Sequence, residues 1–184
     1  MAALEGLCRP SFMVNVGEKL MTTCYSIIKT SVGELVLAAN QTELTGVYFY
    51  DSRHVPAALK TWTLDDKNPV LKRAAKEINE YLDGKRTGFT FPTAALGTDF
   101  QKKVWKEIAK IPYGKTVSYS DLAKRAGSPN AIRAAGAATG KNPMSIIVPC
   151  HRVVGKNNAI TGYAGGLERK RRLLELETSV FRSR

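Results

Sequence analysis

Cys150, His151 and Arg152 stand in a row behind an apolar run, Ile146-Ile147-Val148, that Pro149 stops. A thiol at the mouth of a buried strand, with histidine and arginine beside it, sits where positive charge lowers a thiol pKa. The thiolate is the competent nucleophile, and a nearby histidine can generate it. The Cys-His dipeptide alone points more readily to the alternative, a buried and inert thiol. The three cysteines, Cys8, Cys24 and Cys150, have no paired or CxxC spacing, which argues against a disulfide framework and fits a reducing compartment. With two histidines in the chain, His54 and His151, a four-ligand zinc site is short of donors.

Two unlike halves must hold that thiol. The net charge of +12 is unevenly placed: residues 1–97 hold 11 basic and 10 acidic side chains, residues 98–184 hold 17 and 6. A basic half beside a neutral one suggests a polyanion surface on the second, with a merely solvated basic face as the alternative. No run of apolar residues is long enough for a membrane span. Residues 1–22 lack a continuous apolar stretch, so they read as an extension and not a secretory signal.

In the neutral half, residues 23–30, 34–39 and 44–50 predict three short strands joined by antiparallel hairpins. Leu71, Ala74, Ala75, Ile78 and Leu82 then recur on one face of a helix closed by Asp83-Gly84. Nothing catalytic is legible here. Residues 88–97, with Pro92 inside, read as the connection.

The basic half predicts helices. Thr98 and Gln101 have capping-box spacing ahead of Phe100, Val104, Ile108 and Ile111, and Pro112-Tyr113-Gly114 breaks that helix. Ser118 with Asp121 caps a short second helix that ends at Gly127, and Ser128-Pro129 predicts a third with Ser at its N-cap. The pair makes a helix-turn-helix candidate. The third helix, NAIRAAGAATG, carries one long charged side chain, Arg133, where a base-reading helix needs several polar ones. It suits close approach to DNA without sequence reading, or burial between neighbours. Residues 168–172 read as a solvated charged face with Glu168 and Arg172 paired at i,i+4, phosphate contact being the alternative. The Gly-rich stretch 161–166 lacks the spacing of a dinucleotide cradle and reads as a wall that lets backbone approach a ligand.

The stretch Asn142-Pro143…Pro149-Cys150-His151-Arg152-Val153 resembles the active-site motif of the O6-alkylguanine-DNA alkyltransferases, also called methylated-DNA–protein-cysteine methyltransferases. Phe100-Gln101-Lys102-Lys103-Val104-Trp105, Ile111-Pro112-Tyr113-Gly114, Val117-Ser118-Tyr119, Ala131-Ile132-Arg133-Ala134 and Thr161-Gly162-Tyr163-Ala164-Gly165-Gly166 follow the family's order and spacing. The likeness is strong over residues 92–178 and weak over 23–91, and several co-linear motifs displace the inert-thiol reading.

The resemblance implies an α/β (α+β) chain: an N-terminal extension at 1–22, a small antiparallel sheet with a packed helix (ribonuclease H-like) at 23–91, and a helical, winged helix-turn-helix-like domain carrying the active site at 92–184. It implies stoichiometric, irreversible transfer of an alkyl group from O6-alkylguanine, and from O4-alkylthymine, to Cys150 after the base is flipped out. His151 would act on Cys150 through a water, oriented by Glu177, and Asn142 would brace the turn. Tyr163 would donate to the departing guanine. Arg133 would fill the vacated stack beside Ala134, Ala135 and Gly136, while Tyr119 pushes on the adjacent phosphate. The carbonyls of Cys150 and Val153 would take the exocyclic amine, and the Ala164 N–H would meet O6. Some relatives have Ser and Pro where this chain has Ala164 and Ser145, a combination closer to bacterial members. No metal or cofactor is implied. The expected partner is double-stranded DNA carrying the lesion, met in the cytoplasm, or at the nucleoid in a bacterium, by a monomer able to sit side by side with others. No membrane partner is expected.

Three rivals stand beside this: a non-catalytic alkyltransferase-like lesion binder, which would lack the acceptor Cys150; a thiol hydrolase, for which no Gly-rich oxyanion loop is identified; and a helix-turn-helix regulator, for which the third helix lacks base-reading side chains.

Overall fold

The three β-rich segments fold as β1 (Cys24–Thr30), β2 (Gly33–Ala39) and β3 (Leu44–Phe49) in a computed structural model that describes residues 23–182. The extension at 1–22 lies outside the described residues. Antiparallel pairing joins β1 to β2 and β2 to β3, with Gly33 at φ +112° making the first turn. The central strand buries Leu35 through Ala39 on both faces, hence its unbroken apolar run. A fourth strand, β4 (Thr63–Leu64), corrects the purely antiparallel expectation: it lies parallel to β1 and completes the order β3-β2-β1-β4. Two residues are too few to leave a periodic signal.

Helix α1 (Pro69–Leu82) packs on the sheet, capped by the Asn68 side chain with Pro at N1. It buries Leu71, Ala74, Ile78 and Leu82 as the periodicity predicts, and also Tyr81 and Glu77. The Glu77 carboxylate accepts from Arg73, Arg86 and both the N–H and hydroxyl of Thr90, pinning the start of the connection.

The outer edge of β3 is occupied. Leu44 exchanges hydrogen bonds with Pro92 and Ala94, and Val47 with Pro143 and Ser145. Both the connection and the turn leading to Cys150 are thereby stitched to the sheet, which satisfies the edge groups and fixes the turn. Residues 88–97 are less a free link than an added edge.

In the second half, α2 (Asp99–Ala109) opens with the predicted Thr98/Gln101 capping box. After β5 (Val117–Ser118) comes α3 (Tyr119–Arg125), capped by Ser118. Its end is a Schellman turn: Ser128 N–H to Ala123 O at 2.9 Å and Gly127 N–H to Lys124 O at 3.0 Å. Ser128 is thus committed to closing α3, which corrects its assignment as the next N-cap. Helix α4 (Ile132–Gly140) starts later, after Ala131 and without a side-chain cap. Its small residues serve both readings of the Ala-rich sequence. Ala135 and Ala138 pack into a core with Val104, Trp105, Ile108 and Leu122, while Ala134 and Ala137 face out. The Trp105 indole donates to Ala138 O at 2.8 Å and ties α4 to α2. Strand β6 (Val153–Val154) pairs parallel with β5, and α5 (Leu167–Arg182) closes the chain. No helix among the described residues is long and apolar enough to cross a membrane.

Candidate active site

Asn142 follows α4 and organises everything up to the cysteine. Its Oδ1 accepts from Met144 N–H, and its Nδ2 lies 2.9 Å from Val148 O, 3.3 Å from Met144 O and 3.1 Å from Cys150 Sγ. Wound around this amide, residues 146–148 form a turn, which corrects the expected buried strand. Ile146 sits at φ +72°, a strained conformation for a β-branched residue, with its side chain buried. A short apolar run cannot by itself distinguish strand from buried turn.

Cys150 begins a single 3-10 turn, Cys150–Arg152, and is the free cysteine among the described residues. It is 3% exposed. Burial pushes its thiol up, outweighing the Asn142 hydrogen bond and the charge of Lys170. The expectation of a thiol pKa lowered by positive charge is corrected: burial dominates, and the sulfur is protonated at neutral pH.

His151 is fully buried, with Nε2 2.6 Å from Glu177 Oε1. Burial lowers its pKa despite the carboxylate, so the ring is neutral. Burial would raise the Glu177 carboxyl, but hydrogen bonds and charges from His151 and Arg152 hold it at about 2. A carboxylate accepts only, so the histidine proton resides on Nε2. Nδ1 is left as a buried lone pair with no partner. Nδ1, on the residue next to Cys150 in the chain, is therefore the ring nitrogen with a lone pair to accept a proton.

Glu177, from α5, also accepts from Arg152 Nε at 2.9 and 3.1 Å and from Gly114 N–H at 2.9 Å. Arg152 continues to Ile111 O at 2.6 Å. The Pro112-Tyr113-Gly114 break thus has a second use: Gly114, at φ +71°, turns its N–H onto the carboxylate.

A further ligand of Glu177 was not legible in the sequence. Tyr81, fully buried on α1 of the sheet half, donates its hydroxyl to Glu177 Oε1 and lies 3.4 Å from Arg152 Nη2. Burial pushes the phenol well up, so it stays protonated as a donor. The signal was a tyrosine on an apolar helix face, whose hydroxyl must find a partner. Tyr81→Phe should cost about 1–2 kcal/mol of stability, measured by urea denaturation; an unchanged midpoint would mean the bond contributes nothing.

The basic run at 168–172 is only partly a solvated face. Glu168 pairs with Arg171 and Arg172 on the surface as expected. Lys170, however, is fully buried, and its Nζ reaches Thr161 O at 2.5 Å, Val153 O at 2.6 Å and Gly162 O at 3.3 Å. Burial lowers its pKa to about 8, which leaves it charged at neutral pH. Arg169 clasps Asp51 with two bonds of 2.9 Å and donates to Val32 O and Gly165 O. Helix periodicity alone separates these inward residues from their outward neighbours.

Beside α4 lies a cleft of about 360 Å³, within the usual range for small-ligand pockets. Gly136, Ala137 and Gly140 form one wall, Tyr119, Gly162, Tyr163 and Ala164 the other, with Arg53, His54 and Lys141 completing it. The Tyr163 ring is partly exposed there and stands edge-on to Phe49 and His151, while its hydroxyl oxygen is buried without a partner. A Cβ on Gly165 would fall 2.4 Å from Phe49 ring carbons, so glycine permits this packing. A larger hollow of about 490 Å³ over α5 is lined by Ile160, Leu174 and Thr178 among others and shares no residue with the cleft; neither Cys150 nor His151 lines either one.

The site residues expected from sequence do not all converge on the cleft. Tyr119, Gly136, Tyr163 and Ala164 line it. Arg133 and Ala134 are exposed on α4, and Arg133 has no hydrogen bond or ion pair among the described residues. Ala135 is buried in the helical core, which corrects its placement on the DNA face. Ser145 is buried on the β3 edge, away from the cleft wall. The Val153 carbonyl already accepts from Lys170 and the Cys150 carbonyl from Val153 N–H, each keeping one lone pair.

Family models match both halves: "6-O-methylguanine DNA methyltransferase, ribonuclease-like domain" over residues 23–95 and "6-O-methylguanine DNA methyltransferase, DNA binding domain" over 99–179. The chain is 43% identical over 155 residues to a methylated-DNA–protein-cysteine methyltransferase of Mycobacterium tuberculosis, covering 84% of this chain and 92% of that one. It is 44% identical over 153 residues to an inducible counterpart in Bacillus subtilis, covering 83% of each. The crystal structure of Mycobacterium tuberculosis OGT in complex with DNA superposes with a TM-score of 0.79 at 42% identity, over 85% of this chain and 94% of that one.

Proposed function

The chain belongs to the methylated-DNA–protein-cysteine methyltransferases, and on that footing we propose that it reverses O6-alkylguanine damage by moving the alkyl group irreversibly onto Cys150. The observation that carries the reading is the buried relay: a protonated thiol on Cys150, an unpartnered Nδ1 on His151, and Glu177 fixing the opposite nitrogen. His151 takes the thiol proton through a water. The sulfur attacks the alkyl carbon, an S–C bond forms, and the C–O bond breaks as guanine leaves with the electron pair. The buried, unpartnered Tyr163 hydroxyl donates to the base where charge develops, and the thiol's proton is returned to guanine. The thioether has no leaving group of comparable quality, so each molecule reacts once. O4-alkylthymine offers the same O-alkyl carbon. The lesion-binder alternative is disfavoured by Cys150 itself and by the relay built around it.

An O6 substituent is stacked within duplex DNA, so the nucleotide swings into the cleft beside α4 at a cost of a few kcal/mol. Arg133, exposed and unpaired, offsets that cost by occupying the gap. Arg133→Ala should slow transfer from duplex DNA roughly tenfold to a hundredfold and slow reaction with the free alkylated base far less; equal losses on both substrates would remove the base-flipping role. Incubation with DNA carrying labelled O6-methylguanine tests the reaction. One equivalent of label on the protein supports repair, whereas sequence-selective binding without transfer, or turnover of an ester, supports a rival.

A further inference from the structure

The cleft wall is completed from the half that the charge count leaves neutral. Arg53 and His54 belong to the loop 51–56 after β3, yet they line the cleft together with Tyr119, Tyr163 and the small residues of α4. They also line an adjoining hollow of about 410 Å³ that runs past Ala164 to Gly166 and Arg169. The loop is held in place. Ser52 Oγ donates to Ala164 O at 3.1 Å and accepts from His54 N–H at 3.1 Å, and Asp51 is gripped by Arg169. That ion pair also neutralises the one carboxylate among the residues lining either hollow. Arg53 is exposed, and its guanidinium has no hydrogen bond or ion pair among the described residues. With Lys141 across the cleft, the mouth carries cations on both sides and no unpaired anion. A net charge near zero over residues 1–97 conceals this, because the field at a cleft is set by the groups that line it.

We propose that loop 51–56 is the outer lip of the lesion pocket and that Arg53, with His54 beside it, holds a backbone phosphate of the strand carrying the flipped nucleotide. The inference rests on the proposed duplex-DNA function and adds the N-terminal half to the DNA contact surface. Arg53 supplies the fork that matches phosphate oxygens, and the lip meets the strand on the side opposite α4.

Phosphate contacts register in the salt dependence of binding, with a slope near −0.9 per phosphate in a plot of log affinity against log salt. Binding to a lesion-bearing duplex is measured over a salt series for wild type, Arg53→Gln and Lys60→Gln. Lys60 is an exposed lysine of the same half that lines neither hollow. Arg53→Gln should make the slope shallower by about 0.9, while Lys60→Gln matches wild type. An Arg53→Gln slope equal to wild type, or the same change in Lys60→Gln, overturns the proposal. Wild type that binds the duplex with the expected slopes but accepts no alkyl group would sink the repair reading alone.

Discussion

Cys150→Ser is expected to abolish alkyl transfer, by at least about a thousandfold, while duplex binding stays within about twofold of wild type. The two side chains differ by one atom. A hydroxyl in the same buried position is far harder to ionise than a thiol already pushed up by burial, so His151 could not generate a competent nucleophile. Asn142 Nδ2 now lies 3.1 Å from the sulfur and would find an oxygen acceptor instead, so the turn should survive. The proposed function assigns binding to the exposed face of α4 and the cleft rim, and Cys150 does not line that cleft. Transfer to labelled DNA and binding to unlabelled DNA are measured on the same preparation. Retained transfer would place the acceptor elsewhere in the chain.

Glu177→Gln should destabilise the fold by about 3–5 kcal/mol, the usual cost of removing one partner of a buried ion pair. The carboxylate is fully buried and accepts from His151, Arg152, Tyr81 and Gly114. An amide keeps one oxygen but leaves the Arg152 charge without its counter-ion and presents an N–H₂ group to other donors. Acid titration separates this from a packing defect. The Glu177 pKa is depressed from 4.5 to about 2 in the fold, so its contribution is complete above about 4.5 and is lost as pH falls toward 2. Wild type and variant should therefore differ most near neutrality, and the gap should close over that window. His151, also depressed, adds a loss in the same direction below its unfolded value of 6.5. Chemical denaturation at several pH values provides the measurement. A gap that stays constant with pH would deny the carboxylate its charge-pairing role.

The helices were legible where local chemistry decides them. Thr98 and Ser118 are caps that act within three residues, and α1 and α2 fold where their periodic faces indicated. The Cys150-His151 dipeptide was legible as a possible nucleophile and base, yet alone it pointed to an inert thiol; the family resemblance gave Cys150 and Tyr163 their expected roles. What escaped were interactions between halves. Tyr81 on α1 and Arg53 after β3 gain their meaning only when the chain folds back on itself, and no periodicity encodes that. The apolar run 146–148 misled because the sheet edge it approaches is already fixed by Val47, and Asn142 winds it into a turn. Lys170 misled because a charged run on a helix necessarily places some members inward. Its ammonium is buried and donates to the Val153, Thr161 and Gly162 carbonyls, an environment the charged run does not signal.

Peptide mass spectrometry of the protein after exposure to excess duplex DNA carrying O6-methylguanine tests the chemistry most directly. The expected result is a single methyl adduct on the peptide containing Cys150, one per molecule, with guanine restored in equal amount. Repaired DNA in excess of protein, an adduct on a different residue, or unmodified protein beside intact lesions would contradict it.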